Sequence, residues 1–146
     1  MRDRAHASGA PGMTIFMDAS AIVARHLESR ERTTALEETA QDPVWCASAL
    51  ARAEALMLVD RVTEDPFWRR ELRRAIYDDW QRIAVVPVDD RCLDDAVSIA
   101  AVHPVRISEA IHLAAASRLP KPLTFLTFDS NQIPAAVALG YNVVSI

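Results

Sequence analysis

Two apolar runs that end in aspartate constrain the fold more than any other feature of this sequence. Thr14-Ile15-Phe16-Met17 leads into Asp18, and Thr124-Phe125-Leu126-Thr127-Phe128 leads into Asp129. Short runs rich in β-branched and aromatic residues predict strands buried on both faces. Such strands belong to parallel sheets covered by helices. In an open α/β sheet, ligands bind outside the carboxyl ends of the strands. Asp18 and Asp129 are therefore expected at one edge of one sheet. Two carboxylates gathered there need a cation or a shared proton, so the expectation is a metal site.

The rest of the chain alternates between the two periodicities. Helices are predicted over 20–27, 30–39, 49–62, 66–82, 91–102, 109–119 and 133–139, and further strands over 44–47, 83–88 and 143–146. Ser48 and Ser108 read as N-caps, Pro66 as a first helical residue, and Gly140 as the residue closing the last helix. Asp42-Pro43 breaks the second helix. The fold class is α/β, with three α/β/α layers around a central, mostly parallel sheet. At 146 residues and 51% hydrophobic content the chain suits one domain with a real core. Residues 1–12 lack periodicity and end in Pro11-Gly12, which predicts a disordered tail before a domain spanning 13–146, with Met13 as an alternative start.

Several function classes lose support at this level. No run of about 18 apolar residues exists, and no signal-peptide core is present, so the expectation is a cytoplasmic protein without a membrane span. Cys46 and Cys92 stand far apart, which indicates neither a zinc ribbon nor a redox pair. A net charge of −4 argues against non-specific coating of nucleic acid. There is no P-loop and no G-x-G-x-x-G. Asp18-Ala19-Ser20 also lacks the second aspartate of an Asp-x-Asp phosphatase motif.

Two further carboxylates join the aspartates as candidates. Glu54 is expected on the apolar stripe of its helix, with Leu50, Ala53, Met57 and Leu58. A carboxylate there is costly unless paired or metal-bound, and the alternative is a boundary glutamate that reaches solvent or pairs with an arginine. Glu109 falls in a first helical turn, where the helix dipole alone would favour it. His112 reads as a satisfied core histidine, because no second His or Cys stands at ligand spacing. Arg69, Arg70, Arg73 and Arg74 lie beside Phe67 and Trp68, a mixture that suits either a nucleic-acid backbone with stacked bases or a solvated helix face.

Asp18, Glu54, Glu109 and Asp129 offer only oxygen donors, which favours Mg²⁺ or Mn²⁺ over zinc. Such ions in an acidic cup suit phosphodiester hydrolysis by activated water. Removing one of several crowded carboxylates is expected to relieve repulsion, so Asp18 should serve chemistry more than folding.

Four segments, in order, resemble the PIN-domain ribonucleases, in particular the VapC-type toxins of toxin–antitoxin pairs. They are Phe16-Met17-Asp18-Ala19-Ser20, Ser48-Ala49-Leu50-Ala51-Arg52-Ala53-Glu54, Arg106-Ile107-Ser108-Glu109-Ala110-Ile111-His112-Leu113-Ala114 and Leu126-Thr127-Phe128-Asp129. The resemblance covers 13–146. It implies Asp18, Glu109 and Asp129 as metal ligands, with Glu54 acting through water or orienting the nucleophile. It also implies Ser20 and Thr127 as hydroxyls beside the metal. The implied activity is Mg²⁺- or Mn²⁺-dependent endonucleolytic cleavage of RNA, by a homodimer inhibited by a cognate VapB-type antitoxin. Arg69, Arg70, Arg73, Arg74 and Arg106 are candidates for guiding the RNA. The third acidic position is usually aspartate in the family and is Glu109 here. That departure leaves a non-catalytic PIN module that binds RNA or protein as the alternative.

Overall fold

The computed structural model describes residues 13–41 and 43–146; the expectations for the tail and for Asp42 fall outside them. Among the described residues, five strands alternate with seven helices. They are β1 (Thr14–Met17), α1 (Ala19–Ala24), α2 (Arg30–Thr39), β2 (Val44–Ser48), α3 (Leu50–Val62) and α4 (Pro66–Arg82). β3 (Ala84–Val86), α5 (Asp90–Val102), α6 (Ile107–Ala116), β4 (Leu123–Leu126), α7 (Ile133–Ala138) and β5 (Asn142–Val144) complete the chain. The strand order is β3-β2-β1-β4-β5, and every pairing is parallel. The chain lays β2 and β3 to one side of β1, then returns to lay β4 and β5 on the other. The order reverses between β1 and β4, so the gap outside their carboxyl ends is where a ligand site is expected. No described helix is long and apolar enough to cross a membrane.

Side chains alternate across the sheet with period two. Ile15, Met17, Trp45 and Ala47 enter one core with α1, α3 and α4. Phe16, Cys46 and Phe125 enter the other with α5, α6 and α7. In the second core Phe16, Phe125 and Tyr141 stack at centroid spacings of 5.4 and 5.6 Å. The Tyr141 hydroxyl donates to the Leu113 carbonyl at 3.0 Å, and burial pushes its pKa up to about 12. Cys46 and Cys92 are buried free thiols. Gly140 closes α7 with φ of +88°, the left-handed conformation that glycine adopts without strain.

Three sequence-based expectations change, for α3, Ser48 and Ser108. The buried stripe of α3 is Ala51, Ala55 and Val59, while Ala53 and Met57 are exposed. Small residues let α1 and α3 approach closely, which turns the larger Met57 and Leu58 toward the adjoining cleft. On α4 only Leu72 and Ile76 are fully buried, and Phe67 and Trp68, in its first turn, are more than half exposed. Ser48 is the last residue of β2 and leaves Ala49 as the N-cap of α3. Ser108 lies inside α6, whose N-cap is Arg106.

A partly buried ion network ties α1 to α4. Arg25 Nε and His26 Nε2 meet Asp79 Oδ2 at 2.9 and 2.7 Å. The Arg25 guanidinium also reaches Thr39 and stacks 4.5 Å from the Trp45 ring centroid. Burial opposes the Asp79 charge, but the bonds from His26 and Arg25 outweigh it and hold the pKa below 3.8. A carboxyl depressed in the folded state stabilises above its unfolded pKa and loses that contribution as pH falls through its folded value. Asp79→Asn should therefore cost about 2 kcal/mol in denaturant unfolding at pH 7, because Arg25 and His26 lose the charged acceptor they share. The same variant should show a weaker loss of stability on acidification than wild type.

Candidate active site

A cleft of about 440 Å³ opens at the carboxyl edge of the sheet, beside the β1/β4 reversal. Its wall includes Asp18, Glu54, Glu109 and Asp129, so all four acidic candidates meet there. Ser20 lines it as well, and Thr127 stands directly behind Asp18.

Asp18 is the N-cap of α1, and it is almost fully buried. Its Oδ1 accepts from the Ser20 hydroxyl at 2.6 Å and the Ala21 N–H at 3.0 Å. Its Oδ2 accepts from the Thr127 hydroxyl and the Gln132 amide, each at 2.6 Å. Two donors on each oxygen fix the orientation of the carboxylate. The Ser20 hydroxyl accepts from the Phe128 N–H, and the Thr127 hydroxyl from the Asp129 N–H. Ser20 and Thr127 thus lace the two aspartate-bearing strand ends together. The expectation that Asp18 matters little to folding is corrected by these bonds. Removing its charge strands donors rather than simply relieving repulsion.

Glu109 caps α6 from its third position. Its Oε1 accepts from the Arg106 N–H at 2.8 Å, and its Oε2 from the Arg106 guanidinium at 2.9 Å. Ser108 does not cap the helix because the helix begins at Ile107, which leaves Ser108 inside the first turn, and the Glu109 carboxylate takes the N–H of the N-cap residue. The same guanidinium lies 3.6 Å from Asp129 Oδ2. Burial opposes ionisation of Glu109, but hydrogen bonds from Arg106 and Asp129 outweigh it and hold its pKa at about 2. Burial, the hydrogen bond to Glu109 and the charges of Glu109 and Asp18 push Asp129 up to about 6. Asp129 keeps in the folded state a proton that the unfolded chain releases near pH 3.8. Stability of the metal-free protein should then fall as pH rises from about 4 to 6. Asp129→Asn should flatten that segment of a melting-midpoint profile.

Glu54 faces the cleft from α3, at the edge of the helix face rather than in the core. Its carboxylate bonds the ring of buried His112, and this bond holds the Glu54 pKa below the usual carboxylate range. The other ring nitrogen of His112 bonds the Ser48 hydroxyl at 2.9 Å.

Among the described residues, no group of three His, Cys, Asp or Glu side chains stands in a metal-holding arrangement. The donor chemistry fits a hard cation nonetheless: Glu109 and Asp129 share the Arg106 guanidinium, and Asp18 and Glu54 line the same cleft, so oxygen donors of one sign crowd there. Arg106 currently provides the positive charge.

The arginine cluster of α4 does not line the cleft. Arg73 pairs with Asp60, Arg69 donates to the Thr63 carbonyl, and Arg74 pairs with Glu71. Arg70 is exposed on the same helix. The arginines that do line the cleft are Arg61 and Arg106. Sequence reasoning missed Arg61 and Gln132. Arg61 follows Glu54 by seven residues, two helical turns, and that spacing was the available signal. Gln132 has none, because a loop carries it back to Asp18.

The PIN domain family model matches residues 15–137. No curated protein sequence matches this chain. Its structure is similar to that of VapC20 from Mycobacterium tuberculosis, a sarcin-ricin loop cleaving toxin. The TM-score is 0.69 at 19% identity, covering 83% of this chain and 94% of the other. It is similar also to FitAcB from Neisseria gonorrhoeae (TM-score 0.66, 16% identity, 90% and 96% covered). A toxin–antitoxin complex from Klebsiella pneumoniae gives a TM-score of 0.64 at 16% identity, with 89% and 95% covered.

Proposed function

The chain belongs to the PIN-domain family, and on that premise we propose that it is a metal-dependent endoribonuclease, the toxin of a toxin–antitoxin pair, with residues 13–146 as its nuclease domain. The observation that carries this reading is the convergence of Asp18, Glu54, Glu109 and Asp129 on one cleft at the strand-order reversal.

Asp18, Glu109 and Asp129 would hold Mg²⁺ or Mn²⁺, which supplies Lewis-acid polarisation of a phosphoryl oxygen and a water of lowered pKa. The chain's own groups do the rest. Ser20, Thr127 and Gln132 hold Asp18 in place. Asp129, whose pKa is pushed up to about 6, would hold the cation in its ionised form. Glu54, kept ionised by His112, accepts a hydrogen bond from the attacking water and orients it. Arg106 and Arg61 stand at the cleft to meet phosphate oxygens, and Arg106 offers a planar fork for them. Arg69, Arg70, Arg73 and Arg74 form an outer basic surface for the RNA backbone.

The expected partners are RNA, a VapB-type antitoxin that inserts a basic group among the carboxylates, and a second copy of the chain. Exposed Leu93 and Val97, one turn apart on α5, are the apolar face on which a homodimer would form. The non-catalytic alternative rests on Glu109, both of whose oxygens are engaged by Arg106.

The test is incubation of the purified chain with a mixed RNA pool, with Mg²⁺, with Mn²⁺ and with chelator. Cleavage that needs the ion is the expected result. RNA left intact under both ions would favour the binding module. Coexpression with the product of the neighbouring gene tests the pairing, through copurification and loss of cleavage.

A further inference from the structure

Two serines that the helix pattern assigns to N-caps meet at the Glu54–His112 pair instead. Ser48 ends β2, is fully buried, and bonds His112 Nδ1 at 2.9 Å. Ser108 stands one turn before His112 on α6 and lines the cleft with Glu54, whose charged form it helps to favour. His112 Nε2 bonds the same carboxylate. A strand and two helices therefore converge on one imidazole and one acid.

The arrangement fixes direction. A carboxylate only accepts, so Nε2 carries the proton, and in the neutral ring Nδ1 accepts from the Ser48 hydroxyl. A ring bonded at both nitrogens, on a helix buried from Glu109 to Ala116, has no freedom to turn. Glu54 differs: it sits on the rim of α3, and its side chain is 30% exposed. A glutamate on such a rim samples several rotamers in water. Simple filling does not call for this histidine either, because replacing both partners of a buried pair by apolar groups is close to neutral. The polar chain runs from the sheet to the cleft and ends on an acid that lines it.

We propose that His112, anchored by Ser48, is the positioning residue that holds the Glu54 carboxylate in the cleft. This role rests on the nuclease reading above. It parallels the outer partners of metal sites, which orient an acid without touching the reacting atoms.

The test uses the full chain and one single-stranded RNA that wild type cleaves with Mn²⁺, under single-turnover conditions. His112→Leu should slow cleavage by about 10- to 100-fold while RNA affinity stays unchanged. His112→Gln, which keeps a donor for Glu54, should recover most of the rate. In a Glu54→Gln background, His112→Leu should cost nothing more, because the residue acts only through Glu54. An equal factor in both backgrounds overturns the positioning role. If His112→Leu does not fold, Ser48→Ala completes the same cycle. A second readout is independent of activity: ring nitrogen NMR of wild type should place the proton on Nε2, and Ser48→Ala and Glu54→Gln should each shift those resonances. A proton on Nδ1 alone overturns the assignment. A wild type that cleaves no RNA overturns the nuclease reading and this role together, whereas an active wild type with additive variants overturns this role alone.

Discussion

Asp18→Asn should reduce RNA cleavage to background and destabilise the fold as well. The loss of cleavage should exceed the roughly 100-fold that outer partners of a metal site are worth, because the substitution removes a carboxylate proposed to touch the ion. The loss of stability follows from hydrogen-bond bookkeeping. The wild-type carboxylate accepts from Ser20, Ala21, Thr127 and Gln132. Asparagine offers one acceptor oxygen and turns an NH₂ group toward two of those donors. The expected cost is about 3 kcal/mol, near the upper value for one lost hydrogen bond to a charged group. Urea unfolding measures it, and cleavage is read at a temperature where circular dichroism confirms the folded state. A folded Asp18→Asn protein that still cuts RNA at the wild-type rate would sink the active-site assignment.

The second large effect concerns Glu109. Glu109→Gln keeps an oxygen for the Arg106 N–H and so keeps the cap of α6, but it loses the ion pair with the guanidinium. Mg²⁺-dependent cleavage should fall strongly, with only a small stability change, about the 0.3–1 kcal/mol of an N-terminal helix charge. Glu109→Asp should preserve or raise cleavage. Its carboxylate is one methylene shorter, which suits the strict octahedral geometry of Mg²⁺ and draws the acid away from the guanidinium. Melting with and without Mg²⁺ or Mn²⁺ gives the matching binding readout, since an ion bound only by the folded state raises the midpoint. If Glu109→Gln cleaves as well as wild type, Glu109 is a helix cap alone and the site works with three carboxylates.

The sequence by itself determined the layers and the place of the site. Apolar runs ending in Asp18 and Asp129 became β1 and the β4 exit. Pro66 opened α4 and Gly140 closed α7, because the fixed φ of proline and the freedom of glycine at positive φ act within a few residues and need no distant partner. Asp18 and Asp129 met because a parallel sheet delivers every strand's carboxyl end to one edge, and helices α3 and α6 bring Glu54 and Glu109 to that edge.

Only the tertiary structure decided what each polar group at that edge bonds. Ser48 and Ser108 have the local pattern of caps, yet one bonds His112 and the other lines the cleft with Glu54. Arg106 sits three residues before Glu109, and nothing in that spacing says that its guanidinium also reaches Asp129. The alanine face of α3 was hidden for the same reason: Ala51 and Ala55 carry little hydrophobic signal, and only the approach of α1 makes them the core. A cap, a core stripe or an acid's partner is chosen by competition among all groups brought within hydrogen-bonding or contact distance, and that competition begins once the strands have paired.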